Sequence, residues 1–392
     1  GERHALGAHY TPRAYVERLV MPTVIEPLRA EWQHALGAAL VLAGEADALD
    51  GRKREDKLAE ARAELRRFHH RLCHVRVLDP ACGSGNFLYV TLEHLKRLEG
   101  EVLDRLEALG ESTQGQLGME GGTVTLRQML GIELNPRAAA LAELVLWIGW
   151  LQWQIRTGGE KSVAEPVVHD YGNIACRDAV LAYDGREPAT DAEGRPITRW
   201  DGKTTKVHPV TGEQVPDDTA RVPEWRYLNP RQAQWPQADF IVGNPPFIGK
   251  LKMREALGDG YVTALRNTYA LVPDSADLVM YWWHKSAEAA SEGTCTQFGL
   301  ITTNSLTMNY NRRVVDHHLT AKKPIYLAFA IPDHPWVDNA QGAAVRIAMT
   351  VGAPGSGQGN LQTVVSEDSA DADARPVEFA SRHGLIHANL VI

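Results

Sequence analysis

Cysteine is scarce in this 392-residue sequence, and the four that occur stand far apart, at Cys73, Cys82, Cys176 and Cys295. No Cys-x-x-Cys pair and no group of histidines at zinc-binding spacing accompanies them. The pattern therefore indicates neither a disulfide framework nor a structural metal site, and free buried thiols in a reducing compartment are its simplest interpretation. We expect a protein without a bound metal.

Signals for export, membrane insertion and broad nucleic-acid binding are also missing. The first residues lack the basic start, apolar stretch and cleavage site of a secretory signal, and no apolar run reaches the roughly 18 residues of a membrane span. With 41 basic against 49 acidic residues, the chain has a formal net charge of -8. Contact with a nucleic acid would therefore depend on local basic patches or on another part of the protein.

What the sequence does contain is a helical start followed by alternating strands and helices. Apolar residues at helical spacing predict a helical segment between Ala14 and Arg71. The alternation that follows predicts an α/β fold, Rossmann-like, with a mostly parallel twisted sheet and helices on both faces. The alanines and tryptophans of the helix after Pro136 predict that this helix is buried. The predicted strands lie at residues 75–78, 130–134, 240–242, 298–302, 325–330 and 345–351.

One stretch, from about Asp184 to Gln237, breaks this alternation. It is rich in Asp, Gly, Pro, Thr and Arg and lacks periodicity. It also exceeds the usual upper limit of about 12 to 15 residues for an unstructured connection. We therefore predict an insertion built from hairpins, one of them within residues 205–215, rather than a part of the core.

The strongest sign of a cofactor is Leu-Asp-Pro-Ala-Cys-Gly-Ser-Gly-Asn-Phe at residues 78–87. It places an acidic residue and a tight turn between a strand and a helix, and Gly83 and Gly85 let the backbone approach a ligand closely because they carry no Cβ. Alone, this pattern is typical of a structural turn. The second sign is Glu133 at the end of the next strand, where a carboxylate can accept hydrogen bonds from ribose hydroxyls. Together they predict a nucleotide-like cofactor.

A third motif, Asn244-Pro245-Pro246-Phe247, follows the predicted strand at residues 240–242. The prolines fix the backbone and lack N–H donors, the asparagine offers a side-chain oxygen, and the phenylalanine offers a ring on which a base can stack. An isolated tetrapeptide of this kind is more often only a turn. After a strand in this alternating arrangement, it predicts a rigid acceptor site for an amine with two hydrogens.

In their order along the chain, these motifs resemble those of the γ-class of amino-methyltransferases that act on DNA. The likeness extends from Gly7 to about Gly352 and includes a first motif, His9-Tyr10-Thr11-Pro12. It implies a class I methyltransferase fold, S-adenosylmethionine as the cofactor and the N6 amine of adenine as the acceptor. The implied catalytic residues are Asn244, Pro245, Pro246 and Phe247. The implied cofactor-binding residues are Tyr10, Thr11, Pro12, Asp79, Pro80, Ala81, Gly83, Ser84, Gly85, Asn86, Phe87, Glu133, Leu134, Asp178 and Ala179.

The same resemblance implies which part of the cofactor each group of these residues would contact. Residues 10–12 would enclose its methionine end, and residues 79–87 would cradle it. Glu133 would hold the ribose, while Asp178 would accept a hydrogen bond from the adenine amine with Leu134 against the ring.

More narrowly, the motifs resemble the methyltransferase portions of large bacterial defence enzymes, such as fused type II restriction-modification proteins and the DISARM and BREX phage-exclusion systems. As in that group, Ile-Gly-Lys follows the third motif at residues 248–250. The likeness implies a bacterial cytoplasmic protein that acts on double-stranded DNA with a flipped adenine, alongside other subunits of a defence system. It divides the chain into a helical segment (1–72), a catalytic domain (73–352) and the start of a downstream region (353–392) in which no target-recognition domain is recognisable.

Basic residues near the third motif are the candidates for DNA contact. Lys250, Lys252 and Arg254 follow the motif directly, and Arg312 and Arg313 follow the predicted strand at residues 298–302. Phosphate contacts would position a duplex without specifying its sequence. An ordinary solvated loop explains either group equally well.

Methylation at a ring carbon of cytosine would need a thiolate presented after a proline, and none of the four cysteines has that setting. Three alternatives stay open. Methylation of the cytosine N4 amine suits the same acceptor geometry, although relatives of that type more often have serine in place of Asn244. RNA and glutamine side chains are methylated by related enzymes that share the motif. The last alternative is a cofactor-binding domain that acts as a non-catalytic scaffold or sensor in a defence complex.

Overall fold

The computed structural model describes residues 11–111, 122–158, 171–336, 345–366 and 377–392. Its first part is helical, as the apolar spacing predicts. Helix α1 (Arg13–Val20) continues through a π-helical turn (Met21–Ile25) into α2 (Glu26–Asp47), and α3 (Gly51–His74) packs against α2. The apolar residues that set the predicted spacing are fully buried, namely Val16, Leu19, Val20, Val24 and Leu28.

The central part begins the alternation of strands and helices. It comprises β1 (Val77–Asp79), α4 (Asn86–Ala108), β2 (Met129–Glu133), α5 (Pro136–Gly158) and β3 (Ile174–Cys176), with a 3₁₀ turn at Leu126–Gln128 before β2.

The insertion follows β3 as a series of short strands outside the central sheet. These strands pair antiparallel in four two-stranded ladders, and one of them is the predicted hairpin that starts at Thr205. They are β4 (Leu181–Ala182), β5 (Gly185–Pro188), β6 (Thr198–Trp200), β7 (Thr205–Val207), β8 (Gln214–Pro216), β9 (Arg221–Pro223), β10 (Trp225–Leu228) and β11 (Arg231–Gln232).

The chain then returns to the central sheet. The elements are β12 (Phe240–Gly243), α6 (Met253–Leu257), α7 (Asp259–Thr268), α8 (Val279–Ser291), β13 (Gln297–Thr303), a 3₁₀ turn (Asn304–Thr307), α9 (Asn309–Leu319), β14 (Ile325–Pro335), β15 (Arg346–Pro354), β16 (Gly359–Ser366) and β17 (Glu378–Gly384).

Within the described ranges the central sheet has nine strands in the order β17-β16-β14-β15-β13-β12-β1-β2-β3. Strands β3, β2, β1, β12 and β13 are parallel neighbours, and β15 runs antiparallel to both β13 and β14. All six predicted strands are present, and the predicted α/β fold with a mostly parallel sheet is confirmed. The sequence patterns do not predict β3, β16 or β17.

Side chains from alternate positions of each strand enter different cores. Val77 and Phe240 belong to the core that includes α1 and α4, whereas Leu78 and Ile241 belong to the core that includes α8 and α9. Since successive residues of a strand point to opposite faces of the sheet, this division places helices on both faces, as predicted.

The prediction that α5 is buried is wrong. One stripe of the helix, which includes Ala142 and Leu146, is fully buried, but several apolar side chains on its other face are 39% to 45% exposed, namely Leu141, Leu144, Ile148 and Ile155. The helix packs against α4, β2 and β3 on one side only. The expectation of no span-length apolar segment also needs correction, because Pro136–Ile155 is long and apolar enough to cross a membrane by length and composition. A single such helix is poor support for a membrane protein, because core helices of soluble proteins pass the same test.

Candidate active site

The predicted site residues meet at one edge of the central sheet. Asp79 ends β1, Glu133 ends β2, Asp178 lies two residues after β3, and Asn244 directly follows β12. These four strands are parallel neighbours, so their carboxyl ends lie side by side. In open α/β sheets this edge is where ligands bind.

The loop after β1 is a tight turn whose backbone angles favour glycine at two positions. Gly83 and Gly85 have φ angles of +54° and +85°, which L-amino acids with a side chain rarely adopt. A Cβ on Gly85 would also lie 3.3 Å from Ala142 of α5, so the loop and that helix are in close contact. The indole of Trp282 on α8 donates a hydrogen bond of 2.9 Å to the carbonyl of Pro80 and fixes the other side of the turn.

Glu133 is bound to this loop. Its Oε2 accepts a hydrogen bond of 2.9 Å from the backbone N–H of Gly83, and its Oε1 accepts one of 2.7 Å from Asn135 N–H. Each carboxylate oxygen has a second lone pair, so both can still accept from a ligand. Leu134 beside it is 68% exposed and lines the same cavity, as expected of a side chain that packs against a ring.

The carboxyl group of Asp79 is buried, and only one of its two oxygens accepts a hydrogen bond from a described residue. Its Oδ1 accepts a hydrogen bond of 3.0 Å from Ala81 N–H, while its Oδ2 is buried and accepts none from any residue in the described part of the chain. Burial, and less strongly the charge of Glu133, raises the pKa of Asp79 to about 8. A Cβ on Gly243 would lie 2.5 Å from Oδ1, so glycine at this position is what leaves room for the carboxyl group.

This burial predicts a pH dependence of stability. Because the pKa of Asp79 is about 8 in the folded protein against an ordinary value of 3.8, the folded state keeps a proton that the unfolded chain releases. The contribution of Asp79 is therefore most favourable below pH 3.8 and is lost as the pH rises toward 8. We expect Asp79→Asn, which cannot ionise, to remove a slope of up to about 1.4 kcal/mol per pH unit from the free energy of unfolding.

Denaturant unfolding of both proteins at pH 5, 6 and 7 measures this slope. Asparagine keeps the acceptor for Ala81 N–H, so the comparison isolates the ionisation of the carboxyl group. Parallel pH profiles of the two proteins would show that Asp79 is not a buried acid.

Asn244 is held by the first motif. Its Nδ2 donates a hydrogen bond of 3.0 Å to the hydroxyl of Thr11, and Asn86 Nδ2 donates one of 2.9 Å to the Thr11 carbonyl. The Oδ1 of Asn244 is buried and receives no hydrogen bond from the residues that the structure describes. It is therefore an unsatisfied acceptor, and such groups are rare because each one costs free energy.

The neighbours of Asn244 in the third motif form one wall. Pro245 is buried, Pro246 lines the cavity, and the ring of Phe247 packs edge-on against Trp336 at a centroid distance of 6.5 Å. Pro12 precedes α1 and is half-buried. The prediction for Tyr10 lies outside the described residues.

Asp178 lies at the other end of the cavity. Its Oδ1 accepts the backbone N–H groups of Val180 and Leu181, and its Oδ2 accepts the hydroxyl of Tyr261 at 2.7 Å. Burial and the charge of Asp178 raise the pKa of Tyr261 well above its usual value, so this hydroxyl stays a donor. The Asp178 carboxylate is thus held in one orientation.

Glu133, Asp178 and Asn244 line a cavity of about 430 Å³, whereas Asp79 lies behind the loop and is not part of its lining. Of the predicted cofactor residues, seven line it, namely Pro80, Ala81, Gly83, Glu133, Leu134, Asp178 and Ala179. Ser84 and Asn86 are half-buried, and Phe87 is buried in the core behind the loop. The motifs do not identify several further lining residues, among them Tyr183, Arg186, Tyr227, Tyr261 and Trp282.

The insertion supplies part of that unexpected wall. Arg186 of β5 pairs in register with Tyr227 of β10, and Tyr227 packs edge-on against Tyr183 at 4.8 Å and Tyr261 at 5.7 Å between ring centroids. The insertion therefore closes the Asp178 end of the cavity with aromatic rings. Its sequence gives no sign of this, because the strand pairing that places these residues is not periodic in the sequence.

Of the predicted DNA-contact residues, Lys250 and Arg312 are half-buried and the others are exposed, and three of the five already have partners. The Lys250 ammonium lies 4.3 Å from the centroid of the Tyr310 ring, which joins the loop to α9. Arg254 pairs with Asp259 at 2.6 Å, and Arg312 lies 3.8 Å from Asp316. Lys252 and Arg313 are exposed.

Two other features, a second cavity and a cluster of potential metal ligands, lie apart from the predicted site residues. A larger cavity, of about 580 Å³, lies between α9 and residues 385–391 and contains none of the strand-end acceptors. The potential metal ligands of His69, Cys73 and Glu99 lie within 4.8 Å of one another. However, Lys96 places its ammonium 2.8 Å from Glu99, and a cation at that position opposes the binding of a metal ion.

Comparison with known proteins agrees with this architecture. The family described as "MmeI, DNA-methyltransferase domain" matches residues 54–364, more than half of the chain. DNA methyltransferase A of Bacillus subtilis (strain 168) is 25% identical over 356 residues, which cover 89% of this chain and 32% of that protein. Adenine-specific methyltransferase PglX of Streptomyces coelicolor (strain ATCC BAA-471 / A3(2) / M145) is 25% identical over 240 residues, which cover 59% of this chain and 17% of that protein.

A solved structure extends the agreement to the fold. The type IIL restriction-modification enzyme MmeI, solved in complex with DNA, matches 99% of this chain and 42% of its own, with a TM-score of 0.62 and 22% identity. At this identity the likeness shows a shared fold. The chain spans about a third of the length of DNA methyltransferase A. From the match over residues 54–364, which contains Asp79, Glu133, Asp178 and Asn244, the chain belongs to the MmeI DNA-methyltransferase domain family.

Proposed function

We propose that this chain transfers a methyl group from S-adenosylmethionine to the N6 amine of adenine in double-stranded DNA. The observation that carries the proposal is the meeting of the strand-end acceptors Asp79, Glu133, Asp178 and Asn244 at one edge of the sheet. Two of them have buried oxygens without a donor among the described residues. A positively charged cofactor and an amine substrate together supply the donors that this arrangement lacks.

The residues present fit the cofactor. The unpartnered Oδ2 of Asp79 suits a positively charged group, since an opposite charge would favour ionisation of the buried carboxyl group. Glu133 has free lone pairs for ribose hydroxyls, and Asp178 with exposed Leu134 suits an aminopurine ring. When bound, S-adenosylmethionine supplies a methyl group on a positively charged sulfur.

On the substrate side, Asn244 Oδ1 and the carbonyl of Pro245 would accept the two N–H hydrogens of the target amine. These contacts favour a pyramidal, more nucleophilic nitrogen and align it for in-line attack, without a covalent enzyme intermediate. As the new C–N bond formed, the bond between the methyl carbon and the sulfur would break, and the methylated nitrogen would release one of its two protons to water. Because the amine cannot reach a methyl donor inside a duplex, the base must be flipped out, and stacking on Phe247 would offset part of that cost, by about 1 to 3 kcal/mol.

Adenine is favoured over cytosine as the acceptor base. The geometry suits either amine, but the asparagine at position 244 and the 25% identity to a protein named as an adenine-specific methyltransferase both support adenine. We also propose a role in restriction-modification or phage defence in the bacterial cytoplasm, supported by the family match and by the fold shared with a restriction-modification enzyme.

Transfer of tritium from methyl-labelled S-adenosylmethionine to unmethylated DNA tests whether the chain is an enzyme or a binding module. We expect label in the DNA and none in RNA or in a glutamine-containing peptide incubated in parallel. Cofactor binding in calorimetry without label in any of these acceptors would instead support the non-catalytic scaffold.

The basic loop after the third motif gives a prediction for DNA binding. Replacing Lys250, Lys252 and Arg254 together by alanine should weaken binding to all DNA sequences and flatten its salt dependence, because each neutralised phosphate contributes about 0.9 to the slope against log salt. Arg254 already pairs with Asp259, so we expect a change closer to two phosphates than to three. Cofactor affinity should not change.

The matched control replaces Arg52, Lys53 and Arg54, three exposed residues at the start of α3, and removes the same amount of charge. Fluorescence anisotropy across a salt series compares the two triple variants. Equal slopes for both would show that net charge alone, and not the loop beside the third motif, governs DNA binding.

A further inference from the structure

The structure ties the first motif to the third through one side chain. Thr11 is 6% exposed, and its hydroxyl accepts the hydrogen bond that the Asn244 Nδ2 donates at 3.0 Å, across 233 positions of sequence. The resemblance to methyltransferases implies that Thr11 helps to enclose the cofactor. The observed contact is instead with the amide that would face the substrate.

An asparagine side chain has two ends of nearly equal size and opposite hydrogen-bonding character. A rotation of 180° about its last bond replaces the acceptor Oδ1 by the donor Nδ2. For an amine substrate the difference is decisive, because Nδ2 would set N–H against N–H. Catalysis at this site therefore requires that one of the two orientations be selected before the substrate binds.

We propose that Thr11 is a positioning residue that selects the active orientation of Asn244. With Nδ2 bonded to the Thr11 hydroxyl, Oδ1 is the end that remains for the substrate, and it accepts no hydrogen bond from the described residues. In the reverse orientation the Thr11 hydroxyl would have to donate to Oδ1 instead, and the N–H groups of Nδ2 would lie in that buried place facing an amine that offers them no acceptor. This inference rests on the proposed function and adds a role that the cofactor does not explain.

The position of Thr11 itself does not depend on its hydroxyl. Its backbone carbonyl accepts a hydrogen bond of 2.9 Å from Asn86, the first residue of α4 after the cofactor loop. A substitution that keeps the shape of the side chain should therefore leave the backbone in place and change only the partner of Asn244.

Thr11→Val tests the role of the hydroxyl, since valine has nearly the same shape and cannot accept a hydrogen bond. We expect kcat for methyl transfer to fall by about 10- to 100-fold, the equivalent of one lost buried hydrogen bond. The dissociation constant for S-adenosylmethionine should stay within about twofold, because orientation of the acceptor amide is not part of cofactor binding. Thr11→Ser, which keeps the hydroxyl, should restore kcat to within about threefold of the parent protein.

Thr23→Val is the matched control. Thr23 is also a buried N-terminal threonine, but its hydroxyl donates to Leu19 within the same helical segment, so kcat should not change. A larger loss in cofactor affinity than in kcat for Thr11→Val would overturn the proposal and return Thr11 to a cofactor-binding role. Equal losses for valine and serine would also overturn it.

A double-mutant comparison isolates the orientation. In an Asn244→Asp background both ends of the side chain are oxygens, so Thr11→Val should cost at most about threefold there. An undiminished effect of Thr11→Val would exclude orientation of the amide as its cause. If the parent protein itself transfers no label, the proposed function fails; if the parent is active and Thr11→Val is as active, only this inference fails.

Discussion

Replacing Asn244 by alanine is expected to abolish methyl transfer while cofactor affinity stays nearly unchanged. Among the residues that the structure describes, the buried oxygen of this side chain has no partner, and its one hydrogen bond runs to Thr11 rather than to the loop at residues 79–87. Loss of a preorganised group that acts on the reacting atom typically costs on the order of 10²- to 10³-fold in kcat. Single-turnover transfer from labelled S-adenosylmethionine, with calorimetry of the cofactor, measures the two effects separately.

Asn360→Ala provides the control for that experiment. Asn360 of β16 also has a buried Oδ1 without a partner among the described residues, but it does not line the cavity. The control variant should transfer methyl groups at the parent rate. Near-normal turnover of Asn244→Ala would place the catalytic site elsewhere.

The second large effect is expected at Glu133. Its carboxylate accepts the backbone N–H groups of Gly83 and Asn135, so Glu133→Ala removes the proposed ligand for the ribose and also frees the turn that we propose to hold the cofactor. Hydrogen bonds to a charged group contribute about 1.5 to 3 kcal/mol, which predicts a weakening of cofactor binding by about 10- to 150-fold. Titration calorimetry with S-adenosylmethionine measures it directly.

Glu101→Ala is a matched control for this variant. Glu101 lies on α4, after the same loop, and pairs with Arg29 at the surface, so its loss changes the net charge equally. Cofactor affinity should not respond to it. If a folded Glu133→Ala protein bound S-adenosylmethionine as tightly as the control, the ribose assignment would be wrong.

Much of the site could be predicted because its residues sit at strand ends. Asp79 and Glu133 each end a short apolar strand, Asn244 directly follows one, and the carboxyl ends of parallel strands meet at one edge of a sheet. Glycines at positions 83 and 85 have the positive φ angles that the predicted turn requires. Here the local pattern is sufficient, since the fold class alone brings the motifs together.

The rest of the cavity could not be predicted, because it depends on contacts between distant segments. Tyr227 reaches the site through the antiparallel pairing of β5 with β10, and Tyr261 reaches Asp178 from α7. Neither residue belongs to a motif or to a periodic pattern. The same reason hides the contact between Thr11 and Asn244, which pairs two motifs that the sequence presents as separate.

Helix α5 shows a different limit of prediction from the sequence, which concerns burial. Its composition is that of a buried helix, yet Leu141 and Leu144 are each 45% exposed. Apolar composition reports the tendency of a segment to leave water, but it does not specify the surface that covers it. The packing of one stripe against α4, β2 and β3 is a property of the whole fold.

The measurement that tests the central claim most directly is mass spectrometry of nucleosides from DNA treated with the protein and S-adenosylmethionine that carries a trideuterated methyl group. The proposed function predicts N6-trideuteromethyl-deoxyadenosine from the parent protein and none from Asn244→Ala. The label on the N4 amine of deoxycytidine would contradict the choice of base. No labelled nucleoside, from a protein that binds the cofactor, would contradict the claim that these strand-end residues form a methyl-transfer site for DNA.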